Sequence, residues 1–243
     1  MTRSGMSVNE PILRVEHVTK RFGGVTAVNG CSLAVAARAI TGLIGPNGSG
    51  KTTMFNLITG FSTPDAGAVY FRGEDITGLR QYQIVRRGLA RTFQLTRIFA
   101  KMTVLENLLV AAPGLAERER RRRAKEHLAF VRLTDLGDEY AGNLSFGQSR
   151  LLEFARLLMV DPQMILLDEP FAGINPVMEE AMVAVIRQLA AQGRTFLIID
   201  HEMKLVMSLC ERVIVLDYGE VIADGPPAAI QADPRVGEAY FGR

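Results

Sequence analysis

Apolar and β-branched residues cluster in short runs separated by glycine-rich breaks. Residues 12 to 18 and 31 to 35 read as short strands, punctuated by Gly23, Gly24 and Gly30, which predicts an antiparallel β portion near the start. The stretch AITGLIGPNGSGKTTMFNLITG then runs apolar strand, glycine-rich loop, helix, the order in which a buried parallel strand feeds a crossover helix. MILLDEP at 164 to 170 predicts a second buried strand. A helical pattern follows at about 177 to 191, then a strand at RTFLIID, a helix from about 202, and strands at RVIVLD and EVIAD. Strands alternating with helices predict an α/β fold with a mixed or parallel sheet core. Residues 103 to 160 carry helical periodicity and almost no strand signal, which predicts a helical lobe, roughly 96–160, inserted into that core. The expected organisation is a flexible start over residues 1–11 and a single domain over 12–243.

Composition narrows the classes. The chain has 243 residues, 48% of them hydrophobic, enough for one sizeable core or two closely packed lobes. Its formal charge is only +2, so no strong polyanion-binding field is implied and nucleic acid is not an expected partner. Cys31 and Cys210 stand far apart, in neither metal-ligand nor redox spacing, and read as free thiols. No apolar run reaches the roughly 18 residues of a membrane span, and the start, MTRSGMSVNEP, lacks the apolar stretch of a signal peptide. The block ERERRRRAKEH at 117 to 127 reads as a solvated helix face.

The chemistry sits in the breaks. Gly45, Pro46, Asn47, Gly48, Ser49, Gly50, Lys51 and Thr52 fit the phosphate-binding loop pattern, with the required strand before and helix after. Glycines there let backbone N–H groups face phosphate oxygens, and the helix N-terminus adds positive dipole. Lys51 is expected to reach the β- and γ-phosphates of ATP and Thr52 to ligate Mg2+, with Thr53 beside it in the binding set. Asp168 and Glu169 follow a buried strand at its carboxyl end, where α/β sheets hold ligands. Asp168 is expected on the Mg2+ side, through water, and Glu169 to orient or deprotonate the attacking water. A pair of acids at a strand end is otherwise a common helix cap; Lys51 in the same chain favours hydrolysis.

Leu144, Ser145, Phe146, Gly147 and Gln148 precede the helical run SRLLEFARLLMV, about twenty residues before the acidic pair. As local structure this is a helix N-cap, and its N–H groups form an anion site. The segment resembles the signature sequence of ABC ATPases. The resemblance runs from about residue 12 to 241 and implies the ABC-type fold, with an antiparallel β subdomain and a helical subdomain. It also implies a head-to-tail pair in which Ser145, Gly147 and Gln148 of one subunit close over ATP held by the other. Further positions match in order: Phe22 the aromatic that stacks on adenine, Gln94 the glutamine that touches Mg2+ and attacking water and faces the membrane subunits, and His201 the histidine that contacts the γ-phosphate. Two positions depart: Phe146 replaces a common glycine, and Asn175 stands where the following loop usually ends in aspartate.

RTFQLTRIFAKMTVLENLLVA, LSFGQSRLLEFARLL, DEPFAGINP, HEMKLVM and DPRVGEAYFG are similar to the longer of the two ATPases of branched-chain amino acid importers. That resemblance implies two transmembrane permease subunits, a second, paralogous ATPase or a second copy of this chain, and an extracytoplasmic binding protein. It implies a place on the cytoplasmic face of the inner membrane. Lipopolysaccharide-export ATPases are similar but usually lack so long a region between Gln94 and the signature. Soluble ABC ATPases typically carry a second cassette or large inserts. The transported molecule is not written in these motifs.

Overall fold

The computed structural model describes residues 11–92 and 98–241. Pro11 begins a strand, so of the expected flexible start only residues 1–10 lie outside the described residues.

The first two strands are longer than their apolar cores predict. β1 (Pro11–Phe22) and β2 (Val25–Ala36) form an antiparallel hairpin turning at Gly23 and Gly24. Their outer halves are half-exposed, so polar residues such as Lys20, Arg21 and Thr26 belong to the ladder although they hide the strand pattern. Gly30 lies within β2 at a register shift: Val18 faces Cys31 and Lys20 faces Val28. Its N–H, unable to join the regular ladder, donates to Thr19 Oγ1 at 2.9 Å. β4 (Ala66–Phe71), which the hydrophobic pattern did not predict, pairs with β1, and β5 (Glu74–Asp75) completes a four-stranded sheet in the order β2-β1-β4-β5.

The larger sheet is built from β3 (Ile40–Ile44), β6 (Leu89–Arg91), β7 (Met164–Asp168), β8 (Thr195–Ile199), β9 (Arg212–Asp217) and β10 (Glu220–Gly225). Its order is β10-β9-β3-β8-β7-β6, all parallel except the β9–β10 hairpin. Successive side chains of a strand point to opposite faces, and here both faces are covered. Met164, Leu166, Leu197, Ile199, Ile214 and Leu216 enter one core, shared with the antiparallel sheet and with α1 (Lys51–Ile58). Ile165, Leu167, Phe196, Ile198, Val213 and Val215 enter the other. This double burial is why these strands read as continuous apolar runs.

Between β6, which follows the short α2 (Gln81–Arg86), and β7 the chain forms α3 (Val104–Leu109), α4 (Glu117–Phe130) and α5 (Phe146–Leu158). Thr103 caps α3 in a reciprocal box with Glu106. Asn107, fully buried, staples the preceding loop: its Oδ1 accepts from Phe99 N–H at 2.8 Å, and its Nδ2 donates to the carbonyls of Phe99 and Thr103 at 3.0 and 2.9 Å. On α4 only Ala124 and Leu128 are buried, and Glu117–Arg121, Glu119–Arg123 and Arg122–Glu126 pair at helical spacing in solvent. The charged block is a solvated helix face.

The chain continues through α6 (Pro176–Ala191), α7 (Met203–Leu209), α8 (Pro227–Ala232) and α9 (Pro234–Phe241). No helix among the described residues is long and apolar enough to cross a membrane.

Candidate functional site

β3 delivers the chain from the core of the larger sheet into residues 45–50, and α1 begins at Lys51. The loop is wedged where the two sheets meet. Gly219, in the β9–β10 turn, donates its N–H to Ser49 C=O at 3.0 Å, while its own carbonyl accepts from Asn29 N–H of β2 at 3.0 Å. Two glycines make the close approach possible. Gly45 has φ +150°, and a Cβ there would stand 2.1 Å from Leu216 O; Gly50 has φ +103°, and a Cβ would stand 2.5 Å from Ala27 O.

Lys51 Nζ donates to the carbonyls of Gly45 and Pro46 at 2.7 and 2.8 Å and lies 3.4 Å from Ser49 Oγ. Burial lowers the pKa of its ammonium, while Glu169 and Asp168 pull it back up. The lysine is thus curled over its own loop, with two carboxylates in electrostatic range.

Beside the loop is a cavity of about 310 Å³, at the small end of ligand pockets. Asn47, Gly48, Gly50, Lys51, Thr52 and Thr53 line it together with Glu169, Asp200 and His201, with Ala27 and Ile199 completing it. A larger groove of about 630 Å³ runs past Arg91, Phe99, Glu153 and Arg156. Volume does not select the site; the convergence of loop N–H groups, an ammonium, hydroxyls and carboxylates does.

Asp168 and Glu169, neighbours in sequence, part company. Glu169 sits just past β7 with φ +49°, a strained region for a non-glycine residue, and its N–H donates to Ile199 O at 2.8 Å. That turn brings its carboxylate into the cavity, with Oε1 3.6 Å from His201 Nδ1. Asp168 is buried, 4% exposed, and is not in the lining; its Oδ2 accepts from Arg91 Nη2 at 2.6 Å. Only Oδ2 enters that pair. Asp200, 1% exposed, accepts from Glu202 N–H through Oδ1 at 2.9 Å, and its Oδ2 is buried with no hydrogen-bond partner among the described residues. Burial holds this carboxyl above the usual range, against the N–H groups of Glu202, Phe171 and His201 and the charge of His201.

The remaining predicted residues lie elsewhere. Phe22 is half-exposed at the end of β1, with Lys20 Nζ 5.6 Å from its ring centre, and does not line the cavity. Gln94 falls outside the described residues. Ser145, Gly147 and Gln148 stand at the start of α5 and outside the cavity of their own chain. Ser145 Oγ accepts from Gln148 N–H at 3.3 Å and Gln148 Oε1 accepts from Ser145 N–H at 2.9 Å, a complete capping box. Gly147 has a packing reason: a Cβ there would stand 2.7 Å from Met178 Cγ on α6. The bulk of Phe146 is accommodated in the open, half-exposed, with the Arg150 guanidinium 5.2 Å over its ring. Asn175 caps α6, its Oδ1 accepting from Met178 N–H at 2.9 Å, and Pro176 follows at the first helical position.

Arg91, Ala27 and Asp200 were missed by sequence reasoning. Arg91 stands at the head of the RTFQ motif and Asp200 immediately before His201, so motif proximity was the available signal. Thr52 and Asp168 supply hard oxygen ligands of the kind Mg2+ prefers.

The family described as ABC transporter matches residues 28–172, and that described as branched-chain amino acid ATP-binding cassette transporter matches residues 220–243. The chain is 43% identical to the high-affinity branched-chain amino acid transport ATP-binding protein BraF of Pseudomonas aeruginosa, covering 97% of this chain and 99% of that protein. It is 40% identical to the corresponding protein LivG of Escherichia coli over the same shares. Among solved structures, the ADP conformation of an ATP-binding cassette of an ABC transporter superposes with a TM-score of 0.88 at 38% identity, covering 97% of this chain and all of that one. A strand-fed phosphate loop facing Glu169 and His201, and likeness along almost the whole length, lead to one family: the chain belongs to the ATP-binding cassettes of ABC transporters.

Proposed function

We propose that the chain is the ATP-hydrolysing subunit of an importer for branched-chain amino acids. The observation that carries the hydrolytic part is the single cavity lined by Lys51, Thr52, Glu169 and His201. Lys51 and the loop N–H groups bind the phosphates of ATP, and Phe22 supplies the adenine platform. Glu169 accepts the proton of the attacking water as it adds in line to the γ-phosphate, the bond to the β–γ bridging oxygen breaks and ADP leaves, and His201, 3.6 Å from Glu169, is the residue to contact that phosphate. Thr52, Asp168 and Gln94 would hold Mg2+, which would supply charge neutralisation at the phosphates when bound. Ser145, Gly147 and Gln148, which do not line their own cavity, close over the ATP of a partner cassette; this partner is a second, paralogous ATPase or another copy of the chain.

The importer reading rests on the named relatives and on the match at residues 220–243. It places the subunit on the cytoplasmic face of the inner membrane against two permease subunits, with an extracytoplasmic binding protein choosing the substrate.

Glu169→Gln is expected to bind ATP as tightly as the wild type and to hydrolyse it about 100-fold more slowly or worse, the range for loss of a general base. In the native host it should abolish uptake of radiolabelled leucine, isoleucine and valine. Hydrolysis at the wild-type rate would refute the role of Glu169, and uptake unaffected by deletion of the subunit would refute the transport assignment.

A further inference from the structure

Arg91 is a buried cation that joins two parts of the nucleotide site. It closes β6 three residues before Gln94, and its side chain is 7% exposed. Nη2 donates to Asp168 Oδ2 at 2.6 Å; Nη1 donates to Asn56 Oδ1 at 2.7 Å and to Thr59 Oγ1 at 3.3 Å. Asn56 lies on α1 one turn after Thr52, and Thr59 caps the end of that helix. The Thr59 hydroxyl gives its own proton to Phe55 O at 2.6 Å, so towards Arg91 it acts as an acceptor. Phe55 and Phe61 place their rings 5.3 and 5.6 Å from the guanidinium carbon.

Desolvating an arginine and a carboxylate is costly, and a buried pair is weak evidence of a stabilising role by itself. What a rigid guanidinium fork does well is hold several acceptors at fixed angles. Here those acceptors belong to two elements, the helix that starts at Lys51 and Thr52 and the strand that ends at Asp168.

We propose that Arg91 is a positioning residue of the Mg2+ site, fixing the Asp168 carboxylate relative to Thr52 through this fork. The inference rests on the nucleotide-site reading above. Arg91 need not touch the cation or the phosphates; it engages Asp168 at Oδ2 alone, and the carboxylate's other oxygen is outside the pair. A lysine would keep the charge and lose the fork.

The test uses the full-length purified chain and two readouts besides turnover. One is affinity for a fluorescent ATP analogue in EDTA, which reports the loop and Lys51. The other is Mn2+ affinity of the ADP complex, read by electron paramagnetic resonance. In Arg91→Met and Arg91→Lys, binding in EDTA should match the wild type while Mn2+ affinity falls by about 10-fold or more, as for loss of a partner that orients a metal ligand. Asn56→Ala combined with Thr59→Val keeps the ion pair and cuts the tie to α1; it should weaken Mn2+ binding by a smaller factor, and decides the matter if the Arg91 variants do not fold. Mn2+ affinity at the wild-type level in a folded Arg91→Met protein, or in the double variant if that protein does not fold, would overturn the proposal. An equal fall of both affinities would overturn it too, since that marks general damage to the site. Failure of the wild-type chain to bind the ATP analogue would instead overturn the nucleotide reading on which the inference stands.

Discussion

At the scale of single residues, adjacent side chains of the site live in different dielectric surroundings. Glu169 reaches the cavity because its backbone turns into the left-handed region, whereas Asp168 ends its strand buried against Arg91. Asp200 is more deeply buried still, and its carboxyl is held above the usual range. A carboxyl whose folded pKa is raised binds its proton more tightly in the native state, so its contribution to stability is full below the unfolded value of about 3.8 and is lost as pH rises through the folded value. Asp200→Asn removes that term. Its unfolding free energy should therefore decline less than that of the wild type from pH 4 upward, and denaturant melts at a series of pH values measure it. A parallel pH profile in the two proteins would contradict the burial argument. The cysteines follow the same physics without chemistry: burial pushes the thiols of Cys31 and Cys210 up to about 12, as befits unpaired structural thiols. The phosphate loop was legible residue by residue because its geometry demands particular residue types. Arg91 and Asp200 were not, since a buried arginine and a buried aspartate have no spacing rule and are recognised only by what surrounds them.

At the scale of elements, helix starts organise the surface outside the cavity. Ser145 and Gln148 close the first turn of α5, and Asn175 does so for α6. The departure from aspartate at 175 leaves the capping hydrogen bond in place, because an amide oxygen accepts from Met178 N–H as a carboxylate would. Asn175→Asp should keep stability close to wild type, while Asn175→Ala should cost about 1 kcal/mol, the usual penalty for a lost cap. Thermal or urea denaturation distinguishes them; equal stability of the alanine variant would show that the cap is dispensable. Strands buried on both faces, β3, β7, β8 and β9, were legible as apolar runs. The outer halves of β1 and β2 were hidden by their exposed polar positions, and β4, which begins Ala-Gly-Ala, lacks the bulky alternation that marks a strand. On the C-terminal helix α9, burial pushes the Tyr240 phenol up to about 12, against a lowering influence of the Gly45 backbone.

At the scale of the whole molecule, the proposed function makes the cavity and the helix start at Ser145 two half-sites on one chain. The cavity holds the phosphate loop, Glu169 and His201, while Ser145, Gly147 and Gln148 stand outside it. A second cassette facing this one head to tail would complete both halves, which is why the account requires a pair and, beyond it, membrane subunits to move. The measurement that tests this most directly is recovery of the tagged Glu169→Gln variant from its native membranes, solubilised gently with ATP and Mg2+, and identification of what comes with it by mass spectrometry. Two polytopic membrane proteins should come with it, together with a second ATPase or untagged copies of this chain, held by stalled closure. Recovery of soluble partners alone, with no membrane protein in the assembly, would contradict the proposed function.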